Sequence, residues 1–328
     1  MDIEQITLQS DTPGQAHSLR ILRFQGSAGA PSVYIQAALH ANEMPGVVAV
    51  DRLIPRIAEA ERNGRLAGNV TLVPYANPIG LAQGVYGETL GRFDLNGRIN
   101  FNRSFPTETV ENLSGKPAAH RLKAILIDMA AHADVVLDLH CDDEGPVYLY
   151  VSEHQLDEGR RLAQAMQASV ILTDASDDPV SFDLAVGNRW AAEDREGDAR
   201  FAATIELRGM MDVTPELAQQ DADGLYRYLV ELGTIVDELA DIVPKNLVVG
   251  DVDAAVLIPT PAAGAVLYEV DVGDWVRKGQ RIAVVVTEPG AKGQEILSPF
   301  DGHVMTRRDR RFVRLGDDVI KVLRHPLP

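Results

Sequence analysis

Up to about residue 245, short apolar runs alternate with longer segments in which apolar positions recur at helical spacing. The runs have the length of buried strands and predict them at Val33–Leu39, Val70–Tyr75, Val135–Leu139, Val147–Val151, Val170–Thr173 and Ala202–Leu207. The longer segments predict helices at Val47–Ala60, Ala118–His132, Leu156–Ala168, Phe182–Glu196 and Gly224–Ala240. Strands that alternate with covering helices predict an α/β sandwich with a largely parallel or mixed sheet.

The pattern changes after Pro244, where short β-rich runs separated by Gly, Pro and Asp replace the helical spacing. The charge balance changes at the same place. Residues 246–328 hold 11 basic and 11 acidic residues, whereas the first 245 residues hold 20 basic and 37 acidic ones. We therefore predict two domains, an α/β domain over residues 1–245 and a small all-β domain over residues 246–328.

Composition limits the classes of function. The net charge of −17 argues against nucleic acid and anionic membranes as partners, because both are polyanions. No apolar run approaches the ~18–20 residues that cross a bilayer. The first residues, Met1–Gln5, lack the basic and apolar regions of a secretory signal. The single cysteine, Cys141, fits a reducing compartment, so we expect a cytoplasmic protein.

The first candidate for chemistry is a histidine and a glutamate, His40 and Glu43, between a predicted strand and a helix that starts near Pro45. Ligands bind outside the carboxyl ends of strands in open α/β sheets, and these two side chains can point at one ion there. The spacing differs from that of the helical His-Glu-x-x-His metalloprotease motif. Taken alone, the pair is a weak signal that favours two solvated loop residues over a metal site.

The second candidate is His140, at the end of the apolar run Val135–Leu139. Asp138 lies two residues earlier, on the same face of the strand, where it can orient the imidazole. Alone, His140 is better explained as a histidine that caps a buried strand. Together with His40 and Glu43, however, it completes the two histidines and one glutamate of a catalytic zinc site, with the fourth position left for water.

Two further segments carry polar groups suited to catalysis. The loop after Asn77 is rich in Gly, Asn and Arg, and the pair Asn102-Arg103 suits bidentate capture of a carboxylate. Glu206 lies in the apolar run Ala202–Leu207, where beside zinc it would accept a proton from water and return it to a leaving nitrogen. The alternatives are a polar surface loop and, for Glu206, an ion pair with Arg208.

The ordered set of motifs resembles the succinylglutamate desuccinylase/aspartoacylase family of the zinc carboxypeptidase superfamily over roughly residues 30–245. The matching pieces are His40-Ala-Asn-Glu43-Met-Pro-Gly, Val73-Pro-Tyr-Ala-Asn77-Pro, Asn100-Phe-Asn102-Arg103-Ser-Phe-Pro, Asp138-Leu-His140 and Thr204-Ile-Glu206. The resemblance implies a zinc-carboxypeptidase-like α/β/α sandwich. The family's first motif usually has Gly where Ala41 stands, and Cys141-Asp-Asp-Glu144 looks unlike aspartoacylase itself.

The resemblance also implies roles for individual residues. His40, Glu43 and His140 would bind one Zn²⁺ per chain, Glu206 would be the general acid/base, and Asn102 with Arg103 would hold the substrate carboxylate. An arginine upstream of that pair would polarise the scissile carbonyl. Arg92 and Arg98 both fit this position, with Arg92 favoured and Arg98 otherwise a substrate-binding residue.

The C-terminal part resembles a biotinyl/lipoyl-type barrel-sandwich domain, on Gly264-Ala-Val266, Val272-Gly-Asp-Trp-Val-Arg-Lys-Gly-Gln280 and Ser298-Pro-Phe-Asp-Gly302. In carrier proteins of that fold the modified lysine lies in a tight hairpin, commonly Met-Lys-Met. The corresponding Lys292 has no flanking methionine, so a wall of the active site or an oligomer contact is the favoured role for this domain.

Three functions remain for comparison. The first is hydrolysis of the amide bond of a small N-acylated amino acid, which would be the partner that the protein binds. Whether the protein forms a homo-oligomer stays open. The second is a carboxypeptidase that acts on peptide C-termini with the same ion, base and Asn-Arg pair. The third is a non-enzymatic carrier or adaptor module. An added β domain can narrow a channel to small substrates, and by that analogy the deacylase is favoured.

Overall fold

The computed structural model describes residues 1–27, 29–108, 110–176, 181–193 and 200–327. The helices are α1 (Pro45–Arg62), α2 (Pro78–Leu81), α3 (Ala118–Ala131), α4 (Leu156–Met166), α5 (Phe182–Ala192) and α6 (Pro215–Glu231). The first thirteen strands are β1 (Asp2–Gln9), β2 (Ala16–Phe24), β3 (Val33–Ala37), β4 (Val70–Val73), β5 (Gly84–Val85), β6 (Glu88–Thr89), β7 (Phe93–Asp94), β8 (Ile99–Asn100), β9 (Val135–Asp142), β10 (Val147–Ser152), β11 (Val170–Asp174), β12 (Phe201–Gly209) and β13 (Val248–Asp251). The remaining strands are β14 (Ala255–Pro259), β15 (Gly264–Tyr268), β16 (Trp275–Val276), β17 (Arg281–Val286), β18 (Gln294–Leu297), β19 (Gly302–Arg307), β20 (Phe312–Val313) and β21 (Asp318–Arg324).

A nine-stranded mixed sheet forms the middle layer, in the order β1-β2-β4-β3-β9-β12-β10-β11-β13. β4, β3, β9 and β12 run parallel to one another, and β10 pairs antiparallel to β12. Helices α1, α4 and α6 cover one face, where Leu53, Leu162 and Leu225 belong to one buried cluster. Helices α3 and α5 cover the other face through residues such as Leu126 and Val186. The predicted α/β/α sandwich with a mixed sheet is confirmed.

The parallel strands β3, β9 and β12 end at the same edge of the sheet. Helix α1 begins directly above this edge, because Gly46 leaves room for the close approach. A Cβ atom on Gly46 would lie 2.7 Å from the Cβ atom of Leu139 and 3.0 Å from that of Ala37. The chain between β3 and α1, which carries His40 and Glu43, is therefore held tightly against β9.

The C-terminal strands form two four-stranded antiparallel sheets, β14-β21-β19-β16 and β18-β17-β15-β20. Both sheets contribute to one buried cluster that includes Val266, Val285 and Val322. Leu323 and Met305 belong to a second cluster with large-sheet residues that include Tyr148, which joins this domain to β10. The biotinyl/lipoyl likeness stays a prediction, and exposed Lys292 lies between β17 and β18.

The domain boundary at residues 245/246 also stays a prediction. β13 lies just beyond it, yet it pairs with β11 and completes the large sheet. The chain therefore enters the C-terminal domain directly from the edge of the main sheet. Among the described residues, no helix is both long and apolar enough to span a membrane.

Several predicted boundaries were wrong. The helix predicted at Gly224–Ala240 is α6, which starts at Pro215 after the cap Thr214 and ends at Glu231. It ends there because Gly233 turns the chain with φ 78° and Ile235 then pairs with Leu66 in an isolated bridge.

Other predicted elements differ at their ends. The first and second predicted strands are shorter than expected, and they end at Ala37 and Val73. The helix predicted over Phe182–Glu196 ends at Ala192, and the last part of that prediction, residues 194–196, lies outside the described residues. Outside the site, His303 lies in no strand-end context like those of His40 and His140, which favours a surface position, yet it is only 6% exposed beside Trp275.

Replacing Gly46 with Ala tests the close contact between α1 and β9. The added methyl group has no space, so we expect Gly46→Ala to lower the free energy of unfolding by about 1–3 kcal/mol, as overpacking does. The matched control is Gly187→Ala in α5, where a Cβ atom would meet nothing within 4 Å. The control should gain up to about 1 kcal/mol from helix propensity. Urea unfolding measures both, and equal effects at the two positions would contradict the packing argument.

Candidate metal centre and active site

Three buried side chains meet at the carboxyl ends of β3 and β9. One ligand atom from each of His40, Glu43 and His140 lies within 4.8 Å of the other two. Glu43 stands between the imidazoles, with Oε1 3.0 Å from His40 Nδ1 and Oε2 2.8 Å from His140 Nδ1. The backbone N–H of Cys141 also donates to Glu43 Oε2, at 3.2 Å. The structure thus brings together the three residues predicted as metal ligands.

The far nitrogen of each imidazole faces a hydrogen-bond acceptor. His140 Nε2 lies 2.8 Å from Asp138 Oδ2, and His40 Nε2 lies 2.8 Å from Asn100 Oδ1. A carboxylate only accepts, and Asn100 Oδ1 already accepts from the backbone N–H of Asn102, so both Nε2 atoms carry hydrogen. Both Nδ1 atoms point toward Glu43, whose carboxylate also only accepts, and a cation bound among the three residues would take the place of the hydrogen held there.

A buried chain of hydrogen bonds fixes the carboxylate of Asp138. Gln36 Nε2 donates to Asp138 Oδ1 at 3.0 Å, and the hydroxyl of Tyr34 donates to Gln36 Oε1 at 2.8 Å. Gln36 and Asp138 are paired residues of β3 and β9. The expectation that Asp138 lies beside His140 is confirmed, and sheet register explains why its carboxylate is held in that place.

His40, Glu43 and His140 shift one another's pKa values. Burial alone would lower the pKa of His140, but Asp138 and Glu43 raise it well above the usual histidine value. Burial would raise the pKa of Glu43, and the two histidines outweigh it and hold that pKa well below its normal range. Burial lowers the pKa of His40. The raised pKa of His140 and the lowered pKa of Glu43 describe an ion pair between them, and a bound cation would displace its proton. Two imidazoles and one carboxylate are then the donor set that suits a divalent transition metal.

The loop from Asn77 to Arg103 covers this centre. Asn77 Nδ2 donates to the carbonyl of Leu39 at 2.9 Å, while its Oδ1 caps α2. Ala41 N donates to the carbonyl of Gly91 at 3.0 Å, and a Cβ atom on Gly91 would lie 2.6 Å from the nitrogen of Asn42. Only glycine allows the two backbone segments to approach this closely.

This close approach places Arg92 over the His40, Glu43 and His140 side chains. Its guanidinium donates to Glu43 Oε1 at 3.1 Å and lies 3.4 Å from His40 Nδ1. Arg98 lies in the turn between β7 and β8, exposed and with φ 55°, and it does not line the cavity that contains the centre. The spacing in the sequence left both arginines open, and the fold brings only Arg92 to the site.

The predicted Asn-Arg pair also lines the cavity. Asn102 Oδ1 accepts from the backbone N–H of Phe182 at 2.8 Å, which turns its Nδ2 toward His140 Nε2, 3.5 Å away. Underneath, Lys123 of α3 donates to the carbonyls of Asn100 and Arg103 at 2.9 and 2.6 Å. Burial lowers the pKa of Lys123 to about 8. This lysine was missed by the sequence analysis, because a single Lys within a helix gives no signal of its contacts.

Glu206 of β12 lies directly opposite His140 of β9 in the sheet register. Its Oε2 atom is buried and has no hydrogen-bond partner among the described residues. Burial raises its pKa to about 8, with Glu43 adding to the rise and His140 opposing it. The suspected ion pair with Arg208 is wrong, because Arg208 pairs with Asp221 of α6 instead.

The centre opens into a cavity of about 630 Å³ between the large sheet and the C-terminal domain. Lys321 of β21 reaches into it from that domain, with Nζ 2.7 Å from Asp142 Oδ2 and 3.3 Å from the hydroxyl oxygen of Tyr148. Neither Lys321 nor Tyr148 was predicted as a site residue. The available signals were a lysine within the short apolar run Val319–Leu323 and the acidic run after His140.

The profile of the succinylglutamate desuccinylase/aspartoacylase catalytic domain matches residues 29–232. A search of curated protein sequences gives no match.

Solved structures resemble nearly the whole chain. A succinylglutamate desuccinylase/aspartoacylase family protein from Shewanella amazonensis has 25% identity and a TM-score of 0.84, with 98% of each chain covered. One from Shewanella frigidimarina has 24% identity and a TM-score of 0.84, with 98% of this chain and 97% of that chain covered. The ectoine utilization protein EutE (DoeB) from Ruegeria pomeroyi shares the fold at 19% identity and a TM-score of 0.77, with 98% of this chain and 94% of that chain covered. Since the catalytic-domain profile spans more than half of its residues, the chain belongs to the succinylglutamate desuccinylase/aspartoacylase family.

Proposed function

We propose that the protein is a zinc-dependent amidohydrolase that removes the acyl group from a small N-acylated amino acid or a related amide. The observation that carries the proposal is the meeting of His40, Glu43 and His140 with Glu206 in one cavity, where Glu206 Oε2 has no hydrogen-bond partner among the described residues. Two imidazoles and one carboxylate form the ligand set of catalytic zinc, which leaves a position for water.

Glu206 transfers the proton in the proposed reaction. Zinc held by the three ligands would activate water and polarise the scissile carbonyl. Glu206 accepts the proton of the attacking water and returns it to the amide nitrogen as the C–N bond breaks, which gives a carboxylate and an amine. A pKa of about 8 suits a group that both accepts and donates a proton near neutral pH.

Basic and amide groups around the centre orient the substrate. Arg92 lies beside Glu43 and donates hydrogen bonds to the carbonyl oxygen as negative charge develops on it. Asn102 and Arg103 bind the substrate carboxylate, with the amide of Asn102 held in orientation by the N–H of Phe182.

The deacylase is favoured over a carboxypeptidase by the position of the C-terminal domain. Strands β19 and β21 supply lining residues such as Thr306 and Lys321, so the cavity is walled by both domains. A wall on this side leaves less room for a polypeptide than an open cleft would. The same lining gives the C-terminal domain a role in the active site, and this speaks against a carrier module.

Replacement of Glu206 tests the reaction class. Glu206→Gln keeps the shape but cannot accept a proton, so we expect kcat for amine release to fall by about 10²–10⁴-fold. Zinc content should not change, because Glu206 is not one of the three ligands. Amine release from N-acetyl and N-succinyl amino acids is measured, with short peptides assayed alongside. Glu59→Gln, an exposed glutamate of α1, is the matched control.

Two outcomes would contradict the proposed function. Peptides cleaved faster than every acylated amino acid would make the protein a carboxypeptidase. A Glu206→Gln variant as active as Glu59→Gln would remove Glu206 from the chemistry.

The two arginines left open by the sequence form a second test. We expect Arg92→Met to lower kcat by about 10²–10³-fold, the loss typical of a missing oxyanion donor. Arg98→Met should stay within about twofold of the wild type, because it lies outside the cavity and surface substitutions have small effects. Steady-state kinetics on the best substrate of the panel measures both. Equal losses in the two variants, or a larger loss for Arg98→Met, would show that the carbonyl is polarised differently.

A further inference from the structure

An acidic run, Asp142-Asp143-Glu144, follows the proposed ligand His140 and joins the two domains. Glu144 accepts from Arg307 Nε at 3.1 Å and from Arg311, and its backbone forms an isolated antiparallel bridge with that of Arg307. Asp142 accepts from Lys321 Nζ at 2.7 Å. Two carboxylates of this run are thus neutralised by cations of the C-terminal domain.

The ion pair of Asp142 differs from that of Glu144 because it lies next to the strands of the proposed active site. Asp142 belongs to β9 and Tyr148 to β10, and β12 lies between these strands in the sheet. Glu206 of β12 is paired with His140 on one side and with Tyr148 on the other. Because paired residues point to the same face, the side chains of Tyr148 and His140 flank that of Glu206.

Lys321 spans this arrangement. Its ammonium donates to Asp142 Oδ2 and to the hydroxyl of Tyr148, and that hydroxyl donates to Asp142 Oδ2 at 2.8 Å. The three groups form a closed triangle that bridges β9 and β10 across β12. Glu206 lies in the same cavity, next to this triangle.

The burial of Lys321 distinguishes its contact with Asp142 from a surface ion pair. The side chain of Lys321 is only 14% exposed, and lysine is seldom buried without a partner. Burial would lower its pKa, yet Tyr150 and Asp142 raise the pKa above the normal lysine value. Without the ammonium, Asp142 would be a half-buried carboxylate that keeps the hydroxyl of Tyr148 as a donor, near enough to Glu206 to raise the pKa of that carboxyl group.

We propose that Lys321 is a positioning residue of the hydrolytic centre, through which the C-terminal domain fixes Asp142 and Tyr148 on the two sides of Glu206. This inference rests on the proposed function, because it assigns Lys321 a part in that reaction. It gives the C-terminal domain a catalytic contribution in addition to its place in the cavity wall. Lys321 acts through its two partners and is not itself a group that reacts.

The test compares two cations that bind the same acidic run. Lys321→Met removes the bridge beside Glu206, whereas Arg311→Met removes an interdomain ion pair that does not reach β10 or β12. We expect Lys321→Met to lower kcat by about 10–100-fold, since small displacements of a catalytic group have such effects. KM should change by less than about threefold, and Arg311→Met should keep both constants near those of the wild type.

Further variants separate positioning from a general loss of structure. Lys321→Arg should recover part of kcat, because a guanidinium can donate to both partners. Adding Asp142→Asn to Lys321→Met should cost little more, because residues that act as a unit are not additive. Zinc content and thermal unfolding are measured for every variant. If Lys321→Met does not fold, Tyr148→Phe takes its place and should lower kcat with KM unchanged.

Several results would overturn the inference. One is a Lys321→Met variant with wild-type kcat. Another is an equal loss of kcat in Arg311→Met, which would mean that both variants act only by weakening the contact between the domains. A rise in KM limited to substrates with acidic groups would make Lys321 a substrate ligand. The proposed function fails separately, if the wild type releases amine from none of the acylated substrates.

Discussion

The site depends on one buried carboxylate, that of Glu43, which lies between two imidazoles with an oxygen about 3 Å from a nitrogen of each. This geometry requires the chain after β3 to lie directly against β9. Gly46 allows it from the helix side, and Gly91 allows the covering loop to pack on the other side. The same contact explains the position of Arg92, which follows Gly91 and donates to Glu43.

The sheet register supplies the rest of the centre. Three parallel strands end at one edge, so residues far apart in sequence are brought opposite one another. Asp138 is held by Gln36 on the neighbouring strand and orients His140, while Glu206 lies opposite His140 on the other side. Asp138, His140 and Glu43 are paired with one another or with neighbouring strands, whereas Glu206 Oε2 has no hydrogen-bond partner among the described residues.

The fold class and the central site residues could be predicted from the sequence because they are encoded locally. His140 and Glu206 lie in apolar runs whose strand character is visible from a few residues. β1 was missed because most of its residues are exposed, so it gives no apolar run. The choice between Arg92 and Arg98, the partner of Arg208 and the reach of Lys321 depend on loop conformation and on packing between distant segments. No local pattern carries that information.

The central claim is that His40, Glu43 and His140 together hold one catalytic divalent cation. The most direct measurement is the metal content of the purified wild type and of a His40→Ala/His140→Ala double variant, determined by inductively coupled plasma mass spectrometry after equilibration with zinc and removal of the excess. The account predicts about one zinc ion per wild-type chain, the occupancy of a single three-ligand site, and loss of that ion from a folded double variant. A folded wild type that takes up no divalent cation, or a double variant that retains it, would contradict the account.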